Sequence, residues 1–186
     1  MFEKFTAAAR AVVRGAAEQA DRTGSGTVGE PELLLALLER TDSPAAAVLT
    51  ALGVRERRES VAQALAEVRR RGGVSTADAV ALAGMGIDVD AIVARVEEAH
   101  GAGALAAGGT AGRRRMRPPF TVEAKGVLQR ALRSAAGRGD RHIGDEHLLL
   151  ALATRPGPAA AVLADHGVTY DAVVRLLDEP RGRRAG

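Results

Sequence analysis

At 186 residues, with 46% apolar side chains drawn mainly from Ala, Leu and Val, the chain can bury the core of one domain or of two small, closely packed units. Cysteine is absent, which excludes disulfides, thiolate metal sites and a cysteine nucleophile. The net charge of +3 is modest, and every basic residue except Lys4 and Lys125 is arginine.

No apolar run reaches the roughly 20 residues of a membrane span. Glu3, Lys4 and Arg10 interrupt any secretory apolar stretch, so the cytoplasm is the expected location. Apolar positions at Phe5, Ala9, Val12, Val13, Ala16 and Ala20 predict a one-faced helix over 5–22. Gly24, Gly26 and Gly29 end it, and a second helix is expected over 30–39 with Pro31 in its first turn. Ser43-Pro44 starts a short third helix that runs to Leu52 and stops at Gly53. Residues 55–71 read as an amphipathic helix using Val61, Leu65 and Val68, broken by Gly72-Gly73.

The stretch Leu82 to Val93 matches Leu163 to Val174 at an offset of 81 residues, a partial copy of a motif. Either this insert (72–100) docks beside the first helices, or it replaces 55–71 as their closing helix; the sequence leaves both open. Residues 101–117, rich in Gly, Ala and Arg, read as a flexible linker ending before Pro118-Pro119. Thr121 then caps a helix to about Arg138, a second begins near Gly144, a third at Pro158 and a last after Tyr170. Residues 180–186 form an Arg/Gly tail expected to be disordered. No segment alternates as a strand would, so the fold class is all-α.

One pattern occurs twice. Phe5-Thr6, Val28-Gly29, Leu33-Leu34-Leu35-Ala36-Leu37 and Pro44 to Leu49 return as Phe120-Thr121, Ile143-Gly144, Leu148-Leu149-Leu150-Ala151-Leu152 and Pro158 to Leu163. The offset is 115 residues, falling to 114 after the leucine element. The expected units are therefore 1–71 and 118–179, two repeats that stabilise one another by stacking.

Chemistry-bearing motifs are sparse. There is no phosphate-binding Gly-rich loop followed by Lys and Ser/Thr, no His-Glu-x-x-His and no nucleophile elbow, since Gly24-Ser25-Gly26 lies in a turn. A non-enzymatic protein without cofactor or metal is expected. His142 and His147 lack a third ligand for zinc, and His100 and His166 read as isolated. Asp145, Glu146 and His147 open a helix, where acidic groups meet free N–H groups. Arginine clusters at 69–71, 113–117 and 181–184 read mainly as solvated linker or helix-end charge. A helical nucleic-acid-binding regulator is the alternative reading.

The order Phe5-Thr6, Val28-Gly29, Leu33 to Leu37 and Leu52-Gly53-Val54, repeated with His142-Ile143-Gly144-Asp145-Glu146-His147, resembles the N-terminal domain of the Clp ATPase chaperones. The likeness covers 1–71 and 118–179. It implies two four-helix repeats about a pseudo-twofold axis, and a docking role toward substrates, adaptors or Clp ATPase components of a protease. With no Walker motif, the chain looks like a free-standing ClpC-type domain, and its Ala/Arg/Gly richness suggests an actinobacterial type. Some ClpC-type relatives bind phosphorylated arginine through the Thr after the first Phe and a Glu in the Gly-Thr-Glu-His stretch. By that resemblance the second repeat offers Thr121 and Glu146. The first offers Thr6, with Pro31 where the Glu should stand and Glu30 and Glu32 flanking it. Phe2, Phe5 and the first helix are the resemblance's hydrophobic docking surface for proteins or cyclic peptide antibiotics.

Overall fold

The computed structural model describes residues 2–106, 118–154 and 156–179, with the side chain of Phe2 outside that set. Helix starts follow from side-chain oxygens placed one turn ahead of free N–H groups. Thr6, Ser43, Ser75, Asp88, Thr121 and Thr169 each accept a hydrogen bond from the backbone three residues on. Each such cap stabilises its helix by about 1 kcal/mol.

Ten α-helices result among the described residues. The first repeat holds α1 (Ala7–Thr23), α2 (Glu30–Leu38), α3 (Pro44–Ala51) and α4 (Arg58–Arg70). An insert follows as α5 (Thr76–Gly84) and α6 (Val89–His100). The second repeat holds α7 (Val122–Gly137), α8 (Asp145–Thr154), α9 (Pro158–Asp165) and α10 (Tyr170–Asp178). The architecture is the all-α duplicated fold expected. Residues 107–117 of the expected linker and the tail from 180 lie outside the described residues.

The leucine elements form the centre. Leu33, Leu34, Leu37, Leu148, Leu149 and Leu150 are buried to 1% exposure or less, each stabilising by roughly 1.5–3 kcal/mol relative to exposure. Consecutive leucines cover a wide arc of α2 and α8, and the packing uses all of it. α2 meets α1 on one side and α8 and α9 on others, while α8 meets α7, α9 and α10. Gly15 lets α1 approach α2 closely, since a Cβ there would stand 3.4 Å from that of Ala36.

The two repeats are interlocked rather than stacked side by side. α4 packs on α9, and by the same relation α10 packs on α3. The segments before α1 and α7 also cross over. The Thr6 N–H donates to the Ile143 carbonyl at 2.9 Å and the Ile143 N–H to Lys4 at 2.7 Å. Their repeat equivalents are Thr121 to Val28 at 3.0 Å and Val28 to Pro119 at 2.8 Å. These isolated β-bridges, Phe5 with Ile143 and Val28 with Phe120, define the pseudo-twofold axis.

The insert does not replace α4, whose Val61, Leu65 and Val68 are in the core. It sits beside the end of α4, held by Arg70 to Glu97 at 2.9 Å and Arg71 to Asp90 at 2.8 Å. Arg69 pairs with Glu32 of α2. The reading of Arg69–Arg71 as solvated helix-end charge is thereby corrected: all three join α4 to other elements. No single helix among the described residues is long and apolar enough to cross a membrane.

Candidate functional site

The crossed bridges decide which residues share a site. Thr6 lies against Ile143, and Thr121 against Val28. The sequence paired Thr121 with Glu146 inside the second repeat; the backbone instead brings each threonine to the loop of the other repeat. Two junctions follow, one where Thr6 meets the loop that leads into Asp145 and Glu146, the other where Thr121 meets the loop that leads into Glu30, Pro31 and Glu32.

In the first junction the Gly144 N–H donates to His147 Nδ1 at 2.9 Å, and His147 Nε2 meets Asp140 Oδ2 at 3.0 Å. With Nδ1 accepting, the ring proton sits on Nε2 and points at Asp140. Burial pushes the His147 pKa down from 6.5 against the pull of Asp140, so the neutral ring caps α8. Glu146 folds back over Gly144, where a Cβ would collide with its carboxylate. Burial is also the main reason that Glu146 is pushed up from 4.5 to about 7, with Asp145 and Asp140 adding to it. Asp145 is fully buried and both of its oxygens lack a donor; a protonated Glu146 is the donor within reach. The side chain of Glu146 keeps 21% of its surface exposed, while one of its carboxyl oxygens, Oε2, is buried without a hydrogen-bond partner.

The second junction is closed by its own cations. Glu32 accepts the Gly29 N–H at 2.8 Å and pairs with Arg69, with 3% of its side chain exposed. Glu32 stands where the second repeat has His147, and both side chains accept the N–H of the glycine three residues before. Glu30 is 5% exposed and faces Arg130 of α7 at 3.9 Å. Pro31 takes the place equivalent to Glu146 and offers no polar group.

The expected hydrophobic docking surface is corrected in part. Phe5 is 3% exposed, because the bridge to Ile143 draws it into the core. The expectation for Phe2 concerns a side chain outside the described residues. Along α1 the accessible feature is a groove of about 380 Å³ against α2, lined by Arg14, Glu18, Glu39 and Arg40, and so charged rather than apolar. His166 is not isolated either: it meets Ser60 of α4 at 3.2 Å. Among the described residues no cluster of His, Cys, Asp or Glu is arranged to hold a metal ion.

An interlocked pair of four-helix repeats, with polar junctions where each repeat's leading segment crosses to the other, defines a class of all-helical repeat domain. The sequence profile of the Clp repeat (R) N-terminal domain matches residues 4–81, 75–166 and 119–184. The chain belongs to the Clp repeat N-terminal domain family, whose repeat domain is a non-catalytic module.

It is 32% identical over 184 residues to the chloroplastic chaperone protein ClpC1 of Arabidopsis thaliana, across 96% of this chain and 16% of that one. It is 33% identical over 184 residues to a Clp protease ATP-binding subunit, a ClpA homologue, of Guillardia theta, across 96% of this chain and 18% of the relative. The chain thus spans under a fifth of the length of these relatives. Neither bears on the actinobacterial type suggested by composition. The fold is shared with the N-terminal domain of the chaperone ClpD from Arabidopsis thaliana, at a TM-score of 0.53 and 18% identity over 95% of this chain and 96% of that one. It is shared also with the Hsp104 N-terminal domain of Candida albicans, at 0.54 and 17% over 96% and 92%.

Proposed function

We propose that this chain is a protein-docking module that presents substrates, adaptors or Clp ATPase components to one another in regulated proteolysis. We infer further that it takes a phosphorylated arginine at the Thr6–Glu146 junction. The observation that carries this reading is the contrast between the junctions. Glu30 and Glu32 already face Arg130 and Arg69, whereas Glu146 is partly exposed beside the buried Asp145. A guanidinium brought to Glu146 draws off its proton and forms a charge-assisted pair. The phosphoryl group then falls toward Thr6 and the first turn of α1, where free N–H groups and the helix dipole favour an anion.

The nucleic-acid alternative is less favoured, because Arg69, Arg70 and Arg71 are each engaged by carboxylates. Calorimetry with a phosphoarginine peptide tests the site. Binding with a Kd on the order of 1–100 µM, abolished in Glu146→Ala and retained in Thr121→Ser, is expected. Equal binding by the unphosphorylated arginine peptide, or undiminished binding by Glu146→Ala, would refute the assignment.

A further inference from the structure

α5 is a nine-residue helix with no buried residue. Its sequence, Thr76 to Gly84, carries one charge, Asp78, which is bonded to Ser75 at 2.7 Å. A solvated helix normally has a polar face, and this one has none. Met85 at its end is 70% exposed, and Ile87 and Ile92 are 42% and 49% exposed.

In the second repeat the same motif has a different fate. At the offset of 81 residues, Leu82, Ile87 and Ile92 correspond to Leu163, Val168 and Val173, all at most 1% exposed. In α9–α10 that face is covered by α8 of its own repeat and by α3 and α4 of the other. His166, the counterpart of Met85, is the residue that reaches α4 through Ser60. The insert is thus the closing hairpin of a repeat without the first two helices that would cover it. It is attached through Val89, Val93 and the pairs to Arg70 and Arg71.

The fold also shows what packs on such a hairpin: another of its kind. α3–α4 and α9–α10 pair reciprocally, α4 on α9 and α10 on α3. We propose that two copies of this chain associate about a twofold axis through their insert hairpins, α6 of each copy on α5 of the other. The contact buries Leu82, Met85, Ile87 and Ile92, an isologous interface that extends the pairing already present inside the molecule. Charge permits it. α5 is nearly uncharged, Asp90 and Glu97 of α6 are paired with Arg71 and Arg70, and the other two charged side chains of α6, Arg95 and Glu98, are of opposite sign. Val80 lies about 160° from Leu82 around α5, on the side away from this contact.

Sedimentation equilibrium of the full chain, to protein concentrations on the order of 100 µM, provides the test. The expected result is a concentration-dependent doubling of the 19.2 kDa mass. Met85→Glu with Ile92→Glu abolishes the doubling while keeping the wild-type helical signal. Val122→Glu, at a 79% exposed position on α7, leaves it intact. Should the double variant fold poorly, the absence of native cysteine allows single-cysteine chains to be joined by a short bismaleimide: Met85→Cys cross-links and Val122→Cys does not. A wild-type chain that stays monomeric overturns the proposal and leaves the face to a helix of a different protein. A dimer that survives the double glutamate substitution, or cross-links equally at both positions, overturns it too.

Discussion

Glu32 and His147 occupy the same place in the two repeats, and each accepts the N–H of the glycine three residues earlier. One does so as a carboxylate held by Arg69, the other as a neutral ring held by Asp140. Beside that ring, burial, with Asp145 and Asp140 adding to it, leaves Glu146 with a proton near neutrality. The unfolded chain releases this proton above pH 4.5, the folded chain only above about 7. The protonated carboxyl therefore contributes stability that is complete below pH 4.5 and lost as the pH rises through 7. Glu146→Gln cannot ionise and escapes that loss. Above pH 7 it is expected to exceed the wild type by roughly 1–2 kcal/mol, less than the full shift implies because the carboxyl is partly solvated. Urea midpoints at pH 5 and pH 8 check this; a gap that does not widen with pH would contradict it. His147 works in the opposite sense, stabilising above pH 6.5 and less so as the pH falls. That the Asp145-Glu146-His147 run opens a helix was legible in the sequence, though it is His147 that accepts the Gly144 N–H, while both Asp145 oxygens lack a donor. The raised Glu146 was not, because burial is a property of the packed chain.

Among elements, α4 shows how much a charged helix end can do. Arg69, Arg70 and Arg71 look alike in sequence, yet they join α4 to α2 in one case and to α6 in the others. The Arg69–Glu32 pair is mostly buried and the Arg71–Asp90 pair is half in water. Arg69→Met leaves the Glu32 carboxylate buried with only the Gly29 N–H, at an expected cost of about 1–3 kcal/mol in chemical denaturation. Arg71→Met removes a pair whose carboxylate is 57% exposed and stays hydrated without it, and costs at most about 1 kcal/mol. If the two variants lost stability equally, the ranking by burial would be wrong. Helix periods and caps located these elements, since both are local; the partners of the arginines lie 37, 27 and 19 residues away, beyond the reach of local patterning.

For the whole molecule the interlocking of repeats has a direct consequence. The bridges from Thr6 to Ile143 and from Thr121 to Val28, with α4 on α9 and α10 on α3, mean that neither repeat completes its own core. Fragments 1–106 and 118–186 are each expected to show little helix alone by far-UV circular dichroism and to regain it when mixed. A stably helical isolated half would show that the repeats fold independently and merely dock. The sequence suggested two stacked units, and the exchange between them escaped it because duplication makes either loop an equally good partner for either leading segment.

The sequence by itself determined the repeats, the helix starts and the leucine core, because hydrophobic period and capping chemistry act over one or two turns. It also carried the family resemblance, through residues whose order and spacing recur. Only the tertiary structure decided that each threonine meets the other repeat's loop, that Phe5 is core, and that Glu30 and Glu32 face arginines while Glu146 does not. Those outcomes depend on which of two similar surfaces comes to rest on which, and that is set by the simultaneous burial of the α2 and α8 leucines rather than by any neighbouring residue.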